Sequence, residues 1–349
     1  MENKKEGLSE IVNKILNNEI LLPDFQRKFV WTEEEKQKRL IASVLAKMPI
    51  GSILLLKADA NDYVYKELGS KYKSTKTITG KAEFLLDGQQ RITVLANVFS
   101  SVLFEVNSKP ADLVSETALK KRFFLKFPEY DEVPEYNTSE TSTLSSDIFG
   151  IKYLRFPYAD IEQEPDFLTE DIYDLLDVRS FNKRDKTCFN PYGSDDLNLN
   201  ANLAKECIEA GHLIPLFLLT DKPQKSKNEQ LIKVILKSYV MYVKQKLIDK
   251  YDTIGDKDEQ KNFIRNVLQD EFYEMIAEED LEDKNIFQEQ LDAQADNWLN
   301  KFVQYLKNCV AKINLNQIIV EESKRDRAID IYENLNRGGI SLSVFDLIM

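Results

Sequence analysis

The chain is poor in the residues and runs that mark several common protein classes. Its longest apolar run covers residues 213–219, far short of the roughly 18 residues that a membrane-spanning helix needs. The first ten residues, MENKKEGLSE, lack the apolar stretch of a secretory signal peptide. We therefore predict a cytoplasmic protein that makes no contact with a membrane.

Histidine and cysteine are also scarce. The single histidine, His212, sits in the apolar stretch GHLIPLFLL, so the sequence lacks the residues for a Ser/His/Asp triad, an HExxH zinc site or an HNH nuclease centre. The three cysteines, Cys188, Cys207 and Cys309, form no CxxC pair, which argues against a disulfide framework and a thiolate zinc site. A GxxxxGK[ST] phosphate loop is missing as well, which excludes a P-loop NTPase.

Charge is unevenly distributed along the chain. The net charge is −12 over 349 residues, which argues against binding of nucleic acid over the whole surface. Residues 1–126 nevertheless carry 21 basic and 16 acidic side chains, whereas the remainder carries 26 and 43. An anionic ligand is therefore expected on the N-terminal part, and the acidic excess is expected on solvated helix faces.

The hydrophobic pattern predicts an α+β fold with a mainly helical second half. The first part alternates helical and strand patterns: helices over Leu8–Leu16, after an N-cap at Thr32 and over residues 89–103, and strands over residues 52–57, 84–86 and 123–127. Residues 128–143 are rich in polar side chains and are predicted to form an exposed connection. Helical periodicity then dominates over residues 203–219, 229–251, 259–279 and 285–312, followed by a strand from Ile313 and a helix over residues 324–335. We predict a core of residues 1–127, a variable insert of residues 128–200, a helical region of residues 201–312 and a segment of residues 313–349 that returns to the core.

The stretch FLLDGQQRITVL, residues 84–95, places hydrogen-bonding side chains where a strand passes into a helix. Asp87 is the expected N-cap, and the unpaired amides of Gly88, Gln89 and Gln90 would attract an anion at the helix start. Arg91 adds a permanently charged, forked donor, and Asp87 is also able to hold magnesium beside a phosphate. A helix start with polar residues in its first turn explains the same pattern without a ligand.

Two further stretches have the same character. PDFQRKFVW places Gln26 and Arg27 after a turn and among aromatic residues. NLNRGG places Asn336, Arg337 and Gly338 at a predicted helix end. Aromatic core residues and a glycine C-cap are the structural alternatives.

These motifs, with PIGSILLL and IYENLNRGGISLSVFDLI, resemble in content and order the N-terminal domain of GmrSD-type restriction proteins, a family identified by its DGQQR motif. The resemblance implies a ParB/sulfiredoxin-like fold in which a strand-turn-helix joint binds nucleotide phosphates. It assigns Asp87, Gln90 and Arg91 to catalysis and Asp87 to Mg²⁺. It assigns nucleotide binding to these residues: Gln26, Arg27, Gly88, Gln89, Asn336, Arg337 and Gly338.

The resemblance implies an NTP-binding and NTP-hydrolysing regulatory domain in phage defence, which controls cleavage of modified DNA by an HNH nuclease domain in cis or in trans. The chain stops at DLIM, inside the last family motif, so a longer protein is expected. Two alternatives stay open: a non-hydrolysing sensor of nucleotide or modified DNA, and a DNA-binding module whose acidic helices form a homodimer or partner surface.

Overall fold

A computed structural model describes residues 2–24, 26, 29–66, 79–100, 121–126, 169–180, 199–220, 225–281 and 283–324. The predicted connection over residues 128–143 and the predicted helix over residues 324–335 lie outside the described residues, except Lys324. The division of the chain into the four predicted segments stays a prediction.

A six-stranded mixed sheet forms the first half of the fold. Its strands are β1 (Glu2–Gly7), β2 (Ile20–Pro23), β3 (Ile53–Asp59), β4 (Tyr65–Lys66), β5 (Lys81–Asp87) and β9 (Asn314–Glu321). They are ordered β1-β9-β3-β5-β2-β4. β9 pairs parallel with β3 and β2 pairs parallel with β5, whereas the other pairs are antiparallel. The strand from the far end of the chain therefore lies inside the sheet formed by the N-terminal residues.

Both faces of this sheet are buried, because the strand side chains alternate between two hydrophobic clusters. Leu22, Ile53, Leu55 and Leu85 belong to the larger cluster, which holds the helices. Their neighbours in sequence point to the other face, where the smaller cluster contains Leu21, Leu54, Leu56, Phe84, Leu86 and Val320. A strand buried on both faces needs a continuous apolar run, which is what the stretch ILLL supplies in β3.

Three helices pack on the larger cluster: α1 (Leu8–Leu16), α2 (Glu34–Leu45) and α3 (Gln89–Phe99). The predicted bounds of α1 agree with the structure. The prediction that Thr32 caps α2 is wrong, since Glu33 occupies the N-cap position and its side chain makes no capping hydrogen bond.

Lys14 of α1 forms ion pairs with two strands of the sheet, the edge strand β1 and the inner strand β5. Its ammonium group lies 3.0 Å from Glu6 Oε2 and 3.1 Å from Glu83 Oε2. Burial would by itself raise the pKa of Glu6, but hydrogen bonds from Lys4, Gln317 and Lys14 outweigh it and hold this pKa at about 2. The network therefore favours the ionised carboxylate and links β1, β5 and β9 through charged contacts.

A smaller antiparallel sheet has the order β7-β6-β8. It consists of β6 (Lys121–Leu125), β7 (Leu176–Ser180) and β8 (Ile214–Pro215), accompanied by α4 (Thr169–Leu175) and α5 (Leu199–Glu209). The expectation of one helix over residues 203–219 is wrong. α5 ends at Glu209, Gly211 and His212 adopt φ of +96° and +62°, and the next residues enter β8 and a 3-10 turn.

The helical half contains α6 (Lys225–Thr253), α7 (Lys257–Val267), α8 (Asp270–Tyr273) and α9 (Lys284–Ala311). α6 and α9 run antiparallel, since Lys307 lies 3.4 Å from Glu229 and Lys284 lies 2.7 Å from Asp252 at the opposite end. The helix expected over residues 259–279 is interrupted, because α7 ends at Val267 and only a short α8 follows. No helix in the described ranges is both long and apolar enough to cross a membrane.

His212 and Cys207 have packing roles. The His212 ring packs edge-on against Tyr239, and its Nε2 lies 3.3 Å from Ser238 Oγ. Burial lowers the pKa of His212 and raises that of the Cys207 thiol, so both environments favour the uncharged forms.

Candidate functional site

The joint between β5 and α3 is a sharp turn centred on Gly88. β5 ends at Asp87 and α3 begins at Gln89, with Gly88 as the N-cap at φ +96°. The prediction of Asp87 as the N-cap is therefore wrong: the left-handed backbone moves the cap one residue on. A Cβ at Gly88 would also lie 2.7 Å from Ile53 Cγ2, so both conformation and packing against β3 require glycine here.

Arg91, one turn into α3, clamps three parts of the joint together. Its Nη1 donates to the carbonyl oxygen of Ile50, and its Nη2 donates to the carbonyl oxygen of Ser52 at 3.1 Å. Nη2 also donates to Asp87 Oδ2 at 3.0 Å. The guanidinium group thereby fixes the loop before β3 against the end of β5 and orients the Asp87 carboxylate.

Gly51 makes this clamp sterically feasible. It adopts φ +84°, and a Cβ there would lie 2.5 Å from Arg91 Nη1. The glycine of the PIGS stretch therefore serves the approach of the guanidinium group to the Ile50 carbonyl. This pairing was not predicted from the sequence, although a glycine between two apolar runs is a signal of close approach between backbone and another group.

The glutamines hold the neighbouring backbone in place. Gln26 Nε2 donates to the carbonyl oxygen of Leu86 at 2.7 Å, and Gln90 Oε1 accepts from the amides of Val30 and Trp31 at 2.8 and 3.2 Å. Gln26 and Gln90 are both buried, at 6% exposure. They bind the segment after β2 to the joint, so the described residues of PDFQRKFVW and DGQQR lie side by side.

Two further features of the joint are the Asp87 carboxylate and the start of α3. The Asp87 side chain is 28% exposed and contacts Arg91 through Oδ2. The first intrahelical bond of α3 runs from Ile92 N to Gly88 O, so the positive end of the helix dipole lies next to this carboxylate. A carboxylate beside a helix start is suited to an anion accompanied by a cation.

Comparison with known proteins places the chain in a family. Residues 8–349 match the family described as GmrSD restriction endonuclease, N-terminal domain. The chain belongs to this family. The resemblance to this family is confirmed, and the description of the family names a restriction endonuclease.

A similar protein is Uncharacterized protein MJ0686 of Methanocaldococcus jannaschii, which is 34% identical over 94 residues. That stretch is 26% of this chain and 16% of the archaeal protein. The GmrSD N-terminal domain therefore spans only a small part of the length of this relative.

The structure brings together Gln26, Asp87, Gly88, Gln90 and Arg91 of the predicted site, with Gln89 buried in the first turn of α3. Arg27, Asn336, Arg337 and Gly338 lie outside the described residues, and their roles stay predictions. No group of three or more His, Cys, Asp or Glu side chains suited to a metal occurs in the described part of this GmrSD N-terminal domain. A magnesium ion held at Asp87 would take phosphate and water oxygens as further ligands, as is usual for this ion.

Proposed function

We propose that this chain binds a nucleoside triphosphate at the β5–α3 joint and hydrolyses it. It thereby acts as the regulatory domain of an anti-phage system that restricts modified DNA. The observation that supports this proposal is the Gly88 turn, which places the Asp87 carboxylate next to the first amides of α3. Family membership and the implied ParB/sulfiredoxin-like use of this joint point the same way.

In this proposal the amides of Gly88, Gln89 and Gln90 bind phosphate oxygens at the positive end of α3. Arg91 already uses three of its N–H groups on Ile50, Ser52 and Asp87, so two of its five donors remain for a phosphate. Arg91 therefore positions the loop and the carboxylate and supplies charge. Gln90 contributes mainly by holding residues 30 and 31.

Asp87 has the chemistry to hold magnesium or to orient the attacking water. Mg²⁺ usually takes one or two protein carboxylates and completes its shell with phosphate and water oxygens, which suits a single partly exposed Asp. When bound with the nucleotide, Mg²⁺ would neutralise charge on the phosphates. Among the remaining predicted nucleotide-binding residues, Gln26 supports the end of β5, while Arg27, Asn336, Arg337 and Gly338 are proposed to complete the site.

The proposed catalysis rests on positioning and charge neutralisation, because phosphoryl transfer to water requires little covalent chemistry from the protein. Asp87→Asn is the sharpest test, since an amide oxygen still accepts the hydrogen bond from Arg91 while the negative charge is lost. Asp258→Asn is the matched control, because Asp258 is an exposed acid in the first turn of α7.

The assay measures phosphate release from each of the four NTPs with Mg²⁺, after circular dichroism has shown that both variants fold. We expect Asp87→Asn to lose about 100-fold or more in turnover, as for loss of a group that acts in proton transfer or charge stabilisation, and Asp258→Asn to keep it. Equal turnover in the wild type and Asp87→Asn would refute the assignment of the chemistry to the joint.

A non-hydrolysing sensor is the second candidate, and the engagement of Arg91 by Ile50 and Ser52 favours it. Because its guanidinium group is held by these backbone carbonyls, Arg91 is suited to change the position of the loop before β3 when a ligand binds at the joint. Nucleotide that raises the melting temperature without any phosphate release would support the sensor and remove the catalytic roles.

In either case we propose modified phage DNA and an HNH nuclease domain, in cis or in trans, as the partners of the whole protein. A homodimer or DNA-binding surface on the helical half remains an alternative that salt-dependent retention on DNA would support.

A further inference from the structure

A second polar pocket lies on the other side of the Ile50–Gly51 loop. Its volume is about 280 Å³, and three segments line it: the C-terminal end of α2 with residues 47–51, residues 312–316 leading into β9, and Lys5 of β1. Ile50 and Gly51 thus border both this pocket and the Arg91 clamp. The pocket shares a wall with the joint but contains none of the residues assigned to it.

The lining of the pocket is basic. It contains Lys5, Lys47 and Lys312, and none of the described residues that line it is acidic. Within the described part of the chain, neither Lys5 nor Lys47 forms an ion pair with a carboxylate. The chain as a whole has a net charge of −12. A cavity lined by three lysines and by no described acidic residue is therefore a locally basic region of an acidic chain.

The helix ends at the pocket do not cancel this charge. α2 and α9 both end here, and each C-terminus carries roughly half a negative charge. Lys5 and Lys47 alone, which form no ion pair within the described residues, outweigh these partial charges by about one positive charge. At α2 the carbonyl oxygens of Ser43 and Val44 accept from the amides of Met48 and Lys47 at 2.8 and 3.0 Å, so these two acceptors are already satisfied.

Lys47 has a left-handed backbone conformation that is unfavourable for lysine. It adopts φ +55° in the turn that ends α2, a position where glycine is usual and asparagine is tolerated. The corresponding turn after α1 uses Asn18 at φ +59°. At this position the lysine lines the pocket, and a strained residue of this kind is a pointer to function.

Two asparagines add neutral donors. Asn314 and Asn316 line the pocket and are exposed, and Asn316 is the register partner of Lys5 across the β1–β9 ladder. Asn314 Nδ2 donates to the carbonyl oxygen of Lys312 at 3.1 Å. Ammonium and amide N–H groups around a small open cavity are donors suited to phosphate oxygens.

We propose that this lysine pocket is a second anion site, which binds a phosphate group carried by a small phosphorylated molecule or by a nucleic-acid strand. It goes beyond the proposed NTPase function and stands independently of hydrolysis at the joint. The lysines supply long-range attraction, and the asparagines supply directional hydrogen bonds.

The test is the rate of lysine modification by a trace of an amine-reactive acetylating reagent, read residue by residue by mass spectrometry, with pyrophosphate as the probe. Lys250 is the internal control, since it is exposed and lies at the far end of α6. The length of α9, 28 residues or about 42 Å, separates that end from Lys312. We expect pyrophosphate to slow modification of Lys5, Lys47 and Lys312 and to leave Lys250 unchanged.

Lys47→Gly separates binding from folding, because glycine relieves the left-handed strain while it removes one charge. We expect an unchanged or higher melting temperature and a rise of about fivefold or more in the pyrophosphate concentration that protects Lys5 and Lys312, equivalent to about 1 kcal/mol. Lys47→Asn tolerates the same backbone and should weaken protection similarly, whereas Lys250→Ala should leave it unchanged.

A short DNA duplex in place of pyrophosphate distinguishes the two sources. If the duplex protects the lysines at a lower concentration of phosphate groups than pyrophosphate does, and if added salt steeply weakens this protection, the ligand is a nucleic-acid strand. If only pyrophosphate protects them, the ligand is a small molecule. Equal slowing of Lys250 and the pocket lysines, or no protection by either probe, would overturn the proposal. Because the readout is specific to these lysines, failure at the joint in the Asp87→Asn assay leaves this test unaffected.

Discussion

Replacing Gly51 with alanine tests whether the Arg91 clamp organises the joint. At φ +84° an L-residue is strained, and the new Cβ would lie 2.5 Å from Arg91 Nη1. The guanidinium group must then withdraw from the Ile50 carbonyl, since the backbone carbonyl has less freedom to move. Gly51→Ala is therefore expected to combine backbone strain with loss of a charged hydrogen bond.

Gly80 supplies the matched control. It has a similar φ of +91°, but a Cβ there would meet no atom within 4 Å. Left-handed strain costs roughly 1–2 kcal/mol for alanine, and this cost applies to both sites. Loss of a hydrogen bond to a charged group adds about 1.5–3 kcal/mol at Gly51 alone. We expect Gly51→Ala to destabilise by about 2.5–5 kcal/mol and Gly80→Ala by about 1–2 kcal/mol.

Urea unfolding followed by circular dichroism measures both changes in the free energy of unfolding. In the double variant Gly51→Ala with Arg91→Ala the clash disappears, so the combined cost should be smaller than the sum of the single costs. Equal costs for Gly51→Ala and Gly80→Ala, or strict additivity in the double variant, would refute the clamp.

Two further outcomes follow from the described contacts. The Glu6 pKa of about 2 lies below its usual value of 4.5, so this carboxylate stabilises the fold above about pH 4.5 and loses that contribution as the pH falls toward 2. Glu6→Gln should therefore lower stability at neutral pH and flatten the loss of stability on acidification, and an unchanged acid profile in urea titrations would contradict this. Gln90→Leu leaves the amides of Val30 and Trp31 without their acceptor, which should cost about 1–3 kcal/mol and change the Trp31 fluorescence; unaltered stability and emission would argue against this anchoring role.

The contacts of Arg91 suit the positioning role that we propose for it. Its contacts join the end of β5, the loop before β3 and the first turn of α3. Because Ile50 and Gly51 also border the lysine pocket, the same loop lies between the two proposed anion sites.

Local pattern predicted much of the secondary structure. The bounds of α1 follow from its apolar stripe, and β3 follows from a run of leucines that only a doubly buried strand accommodates. Predictions were wrong where backbone conformation, rather than hydrophobic period, ended an element. The left-handed residues Gly211 and His212 redirect the chain into β8, inside an apolar stretch that helical and strand patterns fit equally well.

The sequence by itself determined the family, the α+β character and the residues of the strand-turn-helix joint, because these depend on short-range pattern and on motifs. Only the tertiary structure decided which partners those residues have. Arg91 reaches Ile50 and Ser52 across about 40 positions of the chain, and β9 enters the sheet from the far end of the sequence. Contacts between residues so far apart in sequence depend on strand order and loop closure, which the local sequence pattern does not reveal. The lysine pocket is a further example, because its three lysines come from three separate segments.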